Sequence, residues 1–274
     1  MSDSVGIKKG IVTVLFSLAA TFLFAQNKIP FPKQGNVYVI AHRGAHQGIP
    51  ENSLAAYHRA IELGCDFIEI DVRTTSDGEI VSVHNATVDA YVLQKTGKVS
   101  ELTLEEIRDL DIGEKVGPEW KGTQVPTFEE ILKLSAGKIG IYLDLKDADP
   151  QALIPLLRKY DMAQTTVWYL GAAQRELIQS IQSQCSECLV MPDPGSEANI
   201  SKVVEMYQPK VLATDMGQLS PSFAKEAHRL GSIVFVDDRD ANLQEWEQII
   251  GFGTDGIQTD QPEALIKYLR SLPN

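Results

Sequence analysis

The chain alternates short apolar runs with longer stretches in which apolar residues recur every three or four positions. The short runs predict strands at Val37–Ala41, Phe67–Val72, Ile80–His84, Ile139–Leu145, Thr166–Leu170, Leu189–Met191, Val211–Thr214, Ile233–Val236 and Gly256–Thr259. The amphipathic stretches predict helices at Leu54–Leu63, Thr127–Leu134, Pro150–Tyr160, Ala173–Gln184, Ala198–Tyr207, Pro221–Leu230, Gln244–Ile250 and Pro262–Leu269. Strands that are apolar throughout are buried on both faces, which calls for a parallel sheet covered by helices. Repetition of that unit along the chain predicts an α/β fold, a TIM (βα)8 barrel. Nine strand candidates compete for eight places: Leu189–Met191 is the weakest, and the last two contend for the closing position.

The alternation fails once. From Asn85 to Gln124 there are turn residues (Thr96-Gly97, Gly113, Gly117-Pro118) and one short helix, Thr103–Leu110, with Thr103 as N-cap and Glu106 three later, a capping box. A long segment leaving a barrel strand predicts a functional loop or small subdomain. The expected organisation is therefore a single barrel domain over residues 26–274, with a small insertion after the third strand, about 85–124. Ahead of it, Lys8-Lys9, the apolar run Ile11–Phe24 and Ala25 have the layout of a secretory signal peptide over residues 1–25. The run is shorter than the ~20 residues a membrane anchor needs. Export, to the periplasm or the medium, is expected, without stable membrane insertion.

Composition narrows the partners. The net charge is −12, and −13 once residues 1–25 take away Asp3, Lys8 and Lys9. So acidic a chain is not steered to nucleic acid or to an anionic membrane, and an anionic substrate would need local positive charge from a metal ion or from placed Arg and Lys. This favours a small soluble substrate. Of the three cysteines, Cys185 and Cys188 follow a helical stretch rather than open one, and no second pair completes a zinc site. They are expected to form a local disulfide or to stay as two thiols, and Cys65 to lie in the core.

In a βα barrel the active site forms at the C-terminal ends of the strands. There the first strand candidate ends in His42-Arg43-Gly44, the third in His84-Asn85 and the fourth in Asp144-Leu145-Lys146, while the second carries Glu69 and Asp71 inside an apolar run. Residues two apart on a strand share a face, so Glu69 and Asp71 point together into the barrel mouth. Two carboxylates side by side raise each other's pKa unless neutralised. Oxygen ligands suit Ca2+ or Mg2+, with Asp144 as a third donor. His42 and His84 can exchange protons with the attacking and leaving oxygens of a phosphodiester. Arg43 and Lys146 would meet its phosphate. His46, His58 and His228 lack such company; His58 and His228 sit within helices and are read as surface or packing residues.

These residues resemble the glycerophosphodiester phosphodiesterase family. The matching motifs are Ala41-His42-Arg43-Gly44, Pro50-Glu51-Asn52-Ser53, Gly64-Cys65-Asp66-Phe67-Ile68-Glu69-Ile70-Asp71-Val72, Asp77-Gly78 with His84, Leu102-Thr103-Leu104-Glu105-Glu106, Val125-Pro126-Thr127-Phe128, and Asp255-Gly256-Ile257-x-Thr259-Asp260-x-Pro262. The resemblance implies hydrolysis of a glycerophosphodiester to an alcohol and glycerol phosphate with a divalent cation. It makes His42 and His84 the acid/base pair, with Arg43 beside them. Glu69, Asp71 and Asp144 become metal ligands, and Arg43 and Lys146 phosphate contacts. Water, or the substrate's own glycerol hydroxyl through a cyclic phosphate, would attack. Glu51 is expected near the ligands, and Asn52 to order its loop. Four departures stand out: Asn85 for a usual Asp, Asp89-Ala90-Tyr91-Val92 for Asp-Arg-Thr-Thr, Val236-Asp237-Asp238 for Trp-Thr-Val-Asn, and Asp144 for Glu. They point to altered substrate preference. Two other readings keep the fold: a phospholipase-like enzyme on lysophospholipids or phosphoinositides, with Tyr91, Val92 and Trp120 as an apolar rim, and a non-catalytic phosphate-binding protein.

Overall fold

The computed structural model describes residues 29–93, 95–238 and 242–272; the expected signal peptide lies outside them. In chain order the strands are β1 Tyr38–Ala41, β2 Phe67–Thr74, β3 Ile80–Ser82, β4 Gly140–Leu145, β5 Thr166–Gly171, β6 Leu189–Asp193, β7 Val211–Asp215, β8 Ile233–Asp237 and β9 Gly256–Thr259. The helices are α1 Leu54–Leu63, α2 Leu104–Arg108, α3 Phe128–Ser135, α4 Pro150–Lys159, α5 Arg175–Gln184, α6 Ile200–Tyr207, α7 Pro221–Arg229, α8 Leu243–Gly251 and α9 Pro262–Ser271. Eight strands run parallel in the order β6-β5-β4-β2-β1-β9-β8-β7. β6 and β7 lie side by side without a ladder between them, so the TIM barrel is nearly closed. Among the described residues, no helix is long and apolar enough to cross a membrane.

The surplus strand is the third. β3 pairs antiparallel with the end of β2, Val72 facing Ser82 and Thr74 facing Ile80, and takes no place in the barrel. β2 runs on past the barrel rim, and a turn at Asp77-Gly78, with Gly78 at φ 86°, sends the chain back. Leu189–Met191 is a full barrel strand within β6, and both of the last two candidates are barrel strands. An apolar run reports burial, not strand direction, and β3 is buried between the insertion core, through Val81, and the helix-side core, through Ile80.

Three apolar clusters follow from strand parity. Outward residues such as Val39, Ile68, Ile70, Ile141, Trp168 and Leu212 pack beneath the helices. Inward residues, among them Tyr38, Ile40, Phe67, Val167, Met191 and Phe235, fill the barrel. Within it, the rings of Tyr38, Phe67 and Phe235 meet at 5.3–5.9 Å. The insertion has a core of its own, with Val81, Val88, Val99, Ile107, Ile112 and Val125. It is a packed subdomain, and the capping box of α2 forms as expected between Thr103 and Glu106. Cys185 and Cys188 are joined by a disulfide after α5, and Cys65 is buried.

Candidate active site

The inward parity that buries Phe67 carries Glu69 and Asp71 up to the barrel mouth. Glu69 is 2% exposed and Asp71 fully buried. The ladder between β2 and β4 sets Asp71 directly beside Asp144. Ligand oxygens of Glu69, Asp71 and Asp144 all lie within 4.8 Å of one another. Burial, then the charges of Asp71 and Asp144, push the Glu69 carboxyl well above the usual carboxylate range. Burial also raises Asp144, against the pull of Lys146 and His84. Lys146 Nζ is 2.6 Å from Asp144 Oδ2 and 3.1 Å from Asp71 Oδ1. Even so, Asp71 Oδ1 is buried without a well-aligned hydrogen bond. A close trio of hard oxygen donors, one lacking a hydrogen bond, fits a hard divalent cation.

The two loops beside this trio are strained and tied. Arg43 and Asn52 have φ of 53° and 52°, a left-handed conformation costing on the order of 1–2 kcal/mol per residue. Hydrogen bonds hold them there: Arg43 N donates to Glu69 Oε2 at 2.7 Å, and Asn52 N donates to the Arg43 carbonyl at 3.0 Å. Asn52 Nδ2 donates to Asp71 Oδ2 at 2.9 Å, while its Oδ1 accepts from Tyr57 and Ser82. Asn52 thus aims a carboxylate as well as ordering its loop. Glu51 accepts from Arg43 Nη1 at 2.9 Å, and Arg43 Nε lies 3.7 Å from Asp71. Gly44, at φ 84°, presses on α1: a Cβ there would lie 2.8 Å from Ala56.

Both histidines present one ring nitrogen to a local partner. His42, 6% exposed, has Nδ1 2.5 Å from Asp260 Oδ1. A carboxylate only accepts, so that nitrogen carries a proton, and in the neutral ring the lone pair is on Nε2. Burial works against Asp260's charge, yet hydrogen bonds from His42 and His46 hold its carboxyl well below the usual range. His84 lies just past β3, not on a barrel strand, with Nδ1 2.8 Å from Asn85 Oδ1. Arg73 holds its backbone, donating to the His84 carbonyl from Nη2 at 2.8 Å and to the Val83 carbonyl from Nε at 3.1 Å.

Sequence reasoning passed over two residues here. Asp260 follows β9 at the inward parity of Gly256 and Gln258, and the Thr259-Asp260-x-Pro262 motif was its signal. His46, which the sequence left without company, binds Asp260 Oδ1 through Nε2 at 3.0 Å; no pattern along the chain marked it. His58 sits exposed on α1 beside Glu62, and His228 on α7 pairs with Asp255, both remote from the mouth. Of the three residues considered for the apolar rim of a phospholipase-like enzyme, Tyr91 lines the cavity beside the mouth. Val92 belongs to the insertion core, the Tyr91 hydroxyl accepts from Asn85 N, and Trp120 Nε1 donates to the Gly48 carbonyl. Asp237 accepts from Gln258 Nε2 at 3.1 Å, and Asp238 is buried.

Beside the mouth, under the insertion, a cavity of about 340 Å³ is lined by Arg43, Glu51, Asn85, Tyr91 and Lys115. Another of about 390 Å³ opens at the opposite end of the barrel, against Phe31, Tyr38 and Phe67, away from the carboxylates and the histidine pair.

A parallel barrel gathering three carboxylates, two imidazoles and two cations at the C-terminal rim defines a hydrolase of phosphate esters that suits a metal. The chain belongs to the glycerophosphoryl diester phosphodiesterase family, whose model matches residues 42–264. Its enzyme class is that of the phosphoric diester hydrolases. It is 31% identical, over 85% of its length and 97% of the relative's, to a glycerophosphodiester phosphodiesterase of Caldanaerobacter subterraneus subsp. tengcongensis. The crystal structure of the Agrobacterium tumefaciens enzyme of that name superposes with a TM-score of 0.76 at 27% identity, covering 84% of this chain and 99% of that one. A phosphodiesterase of Oleispira antarctica, solved with the product sn-glycerol-3-phosphate, shares the fold with a TM-score of 0.77 at 21% identity, covering 85% and 97%.

Proposed function

We propose that the protein is an exported, divalent-cation-dependent enzyme that cleaves glycerophosphodiesters to an alcohol and sn-glycerol 3-phosphate by histidine acid/base catalysis. The observation carrying this reading is the carboxylate trio with His84 near Asp144, and His42, backed by Asp260, next in the chain to Arg43, whose backbone N–H binds Glu69. Glu69, Asp71 and Asp144 would hold the cation, Ca2+ or Mg2+. Bound there, it supplies Lewis-acid stabilisation of charge on the phosphoryl oxygens.

The chain's own residues divide the remaining work. Arg43 offers a guanidinium fork to the phosphate and Lys146 a point charge. His42 Nε2 accepts the proton of the attacking oxygen, either water itself or the substrate's glycerol hydroxyl with water then opening the cyclic phosphate, because Asp260 at Nδ1 stabilises the imidazolium that forms. His84, near Asp144, is placed to donate a proton to the leaving alkoxide. The cavity under the insertion receives the alcohol group. Two features support export: the signal-like segment 1–25, and the disulfide of Cys185 and Cys188, which suits an oxidising compartment.

The test is turnover of glycerophosphocholine, glycerophosphoethanolamine and a chromogenic phosphodiester, with chelator and after Ca2+ or Mg2+ add-back. His42→Ala and His84→Ala should each lose about 10²–10⁴ in kcat while still binding the cation. Full activity in His84→Ala would sink the mechanism, and full activity in chelator the metal requirement. N-terminal sequencing of mature protein from the periplasm or medium should begin near Gln26; an intact Met1 there would refute cleavage.

A further inference from the structure

Asp260 is the carboxylate that orients His42, and its own anchoring is unusual. Among the described residues its only hydrogen-bond donors are two imidazoles: His42 Nδ1 at 2.5 Å and His46 Nε2 at 3.0 Å, both at Oδ1. Two other aspartates at strand ends on the rim are held by backbone. Asp193 accepts from Gly195 N, and Asp215 from Gly217 N. Without such a cap, the direction in which Asp260 points depends on the two rings. His42 is the ring to be oriented and cannot serve as its own reference, which leaves His46.

His46 is itself well fixed. Its loop is tied to α1 through Ala45 N donating to the Ala56 carbonyl at 3.0 Å, and to itself through Ile49 N donating to the His46 carbonyl at 3.0 Å. The insertion holds the same loop through Trp120 Nε1 on the Gly48 carbonyl, at 2.7 Å. The His46 side chain is 21% exposed. Since Asp260 can only accept, His46 must present Nε2–H, and the two N–H groups pin one oxygen from two directions.

We propose that His46 is a positioning residue for this reaction: its Nε2–H anchors Asp260 so that Oδ1 stays on His42 Nδ1, which holds the tautomer and ring plane of the proton acceptor. The assignment rests on the reading of His42 as that acceptor. His46 acts through Asp260 and not on the substrate, so its loss lowers kcat and leaves KM in place. Misplacing a reacting group by about 1 Å costs up to ~10²-fold in rate.

The experiment compares His46→Ala, His46→Phe and His46→Gln in the cation-loaded enzyme on glycerophosphocholine, with Asp260→Asn and His42→Ala alongside and thermal melts of each. Phe keeps the ring and removes the donor; Gln places an amide N–H near the position of Nε2. The expected result is a fall in kcat of about 10- to 100-fold in the Ala and Phe variants, KM within about twofold, and recovery of most of the loss in the Gln variant. Wild-type kcat in the Ala and Phe variants beside an inactive His42→Ala would overturn the proposal alone. So would a Gln variant as slow as Phe at an unchanged melting temperature. Wild-type kcat in His42→Ala would overturn the acid/base reading and the proposal with it.

Discussion

Replacing Glu69 by Gln should stabilise the cation-free protein while destroying its activity. Around this position four carboxylates, Glu51, Glu69, Asp71 and Asp144, face two cations, Arg43 and Lys146. Two formal negative charges remain. Glu69 lies no more than 4.8 Å, oxygen to oxygen, from both Asp71 and Asp144. At an effective dielectric near 20, each such pair repels by about 3.5 kcal/mol. Attraction to Lys146 and Arg43 returns much of one pair, and a Gln oxygen can still accept from Arg43 N. The net gain is about 2–4 kcal/mol, or roughly 5–10 °C in Tm for a barrel of this size. The pH dependence has a definite sign. The folded-state pKa of Glu69 lies above its unfolded value, so wild-type stability is lost as pH rises through the folded value. The gap between the two proteins should therefore be absent near pH 4 and open as pH rises. Calorimetric melts in chelator between pH 4 and 9 measure it, and adding cation should then raise the wild type far more than the variant. A Glu69→Gln protein that melts below wild type at pH 8 in chelator would refute the electrostatic argument.

Three further outcomes are expected. Arg73→Ala removes the donors that hold the His84 and Val83 carbonyls, so kcat should fall by about tenfold with cation affinity unchanged by calorimetry. Gly44→Ala combines a φ of 84° with a Cβ 2.8 Å from Ala56, and should lose about 3 kcal/mol or more in urea unfolding. Reduction of Cys185–Cys188, which closes a loop of only a few residues, should cost about 2 kcal/mol in the same assay. A loss large enough to unfold the protein would mean that the disulfide organises more than its own turn.

The way β2 ends shows how far the pattern along the chain reaches. Its alternation from Phe67 to Val72 put Ile68 and Ile70 under the helices and Glu69 and Asp71 in the mouth, and both placements hold, because strand parity is a local property of the backbone. The run from Ile80 onward looked equally like a barrel strand. Its direction, and hence its exclusion from the barrel, depended on β2 overshooting the rim and on the insertion offering an apolar face.

The sequence by itself determined the barrel, the insertion, and the inward face shared by Glu69 and Asp71, since each follows from periodicity along the chain. Only the tertiary structure decided which groups aim those side chains. Asp260 lies 218 residues from His42 and Asp71 lies 19 from Asn52, and such contacts form only when the barrel brings β9 beside β1 and the first loop over β2. His46 shows the difference most plainly. A histidine in a polar loop has no signature of its own, and its meaning comes from the oxygen that the folded chain places 3.0 Å away.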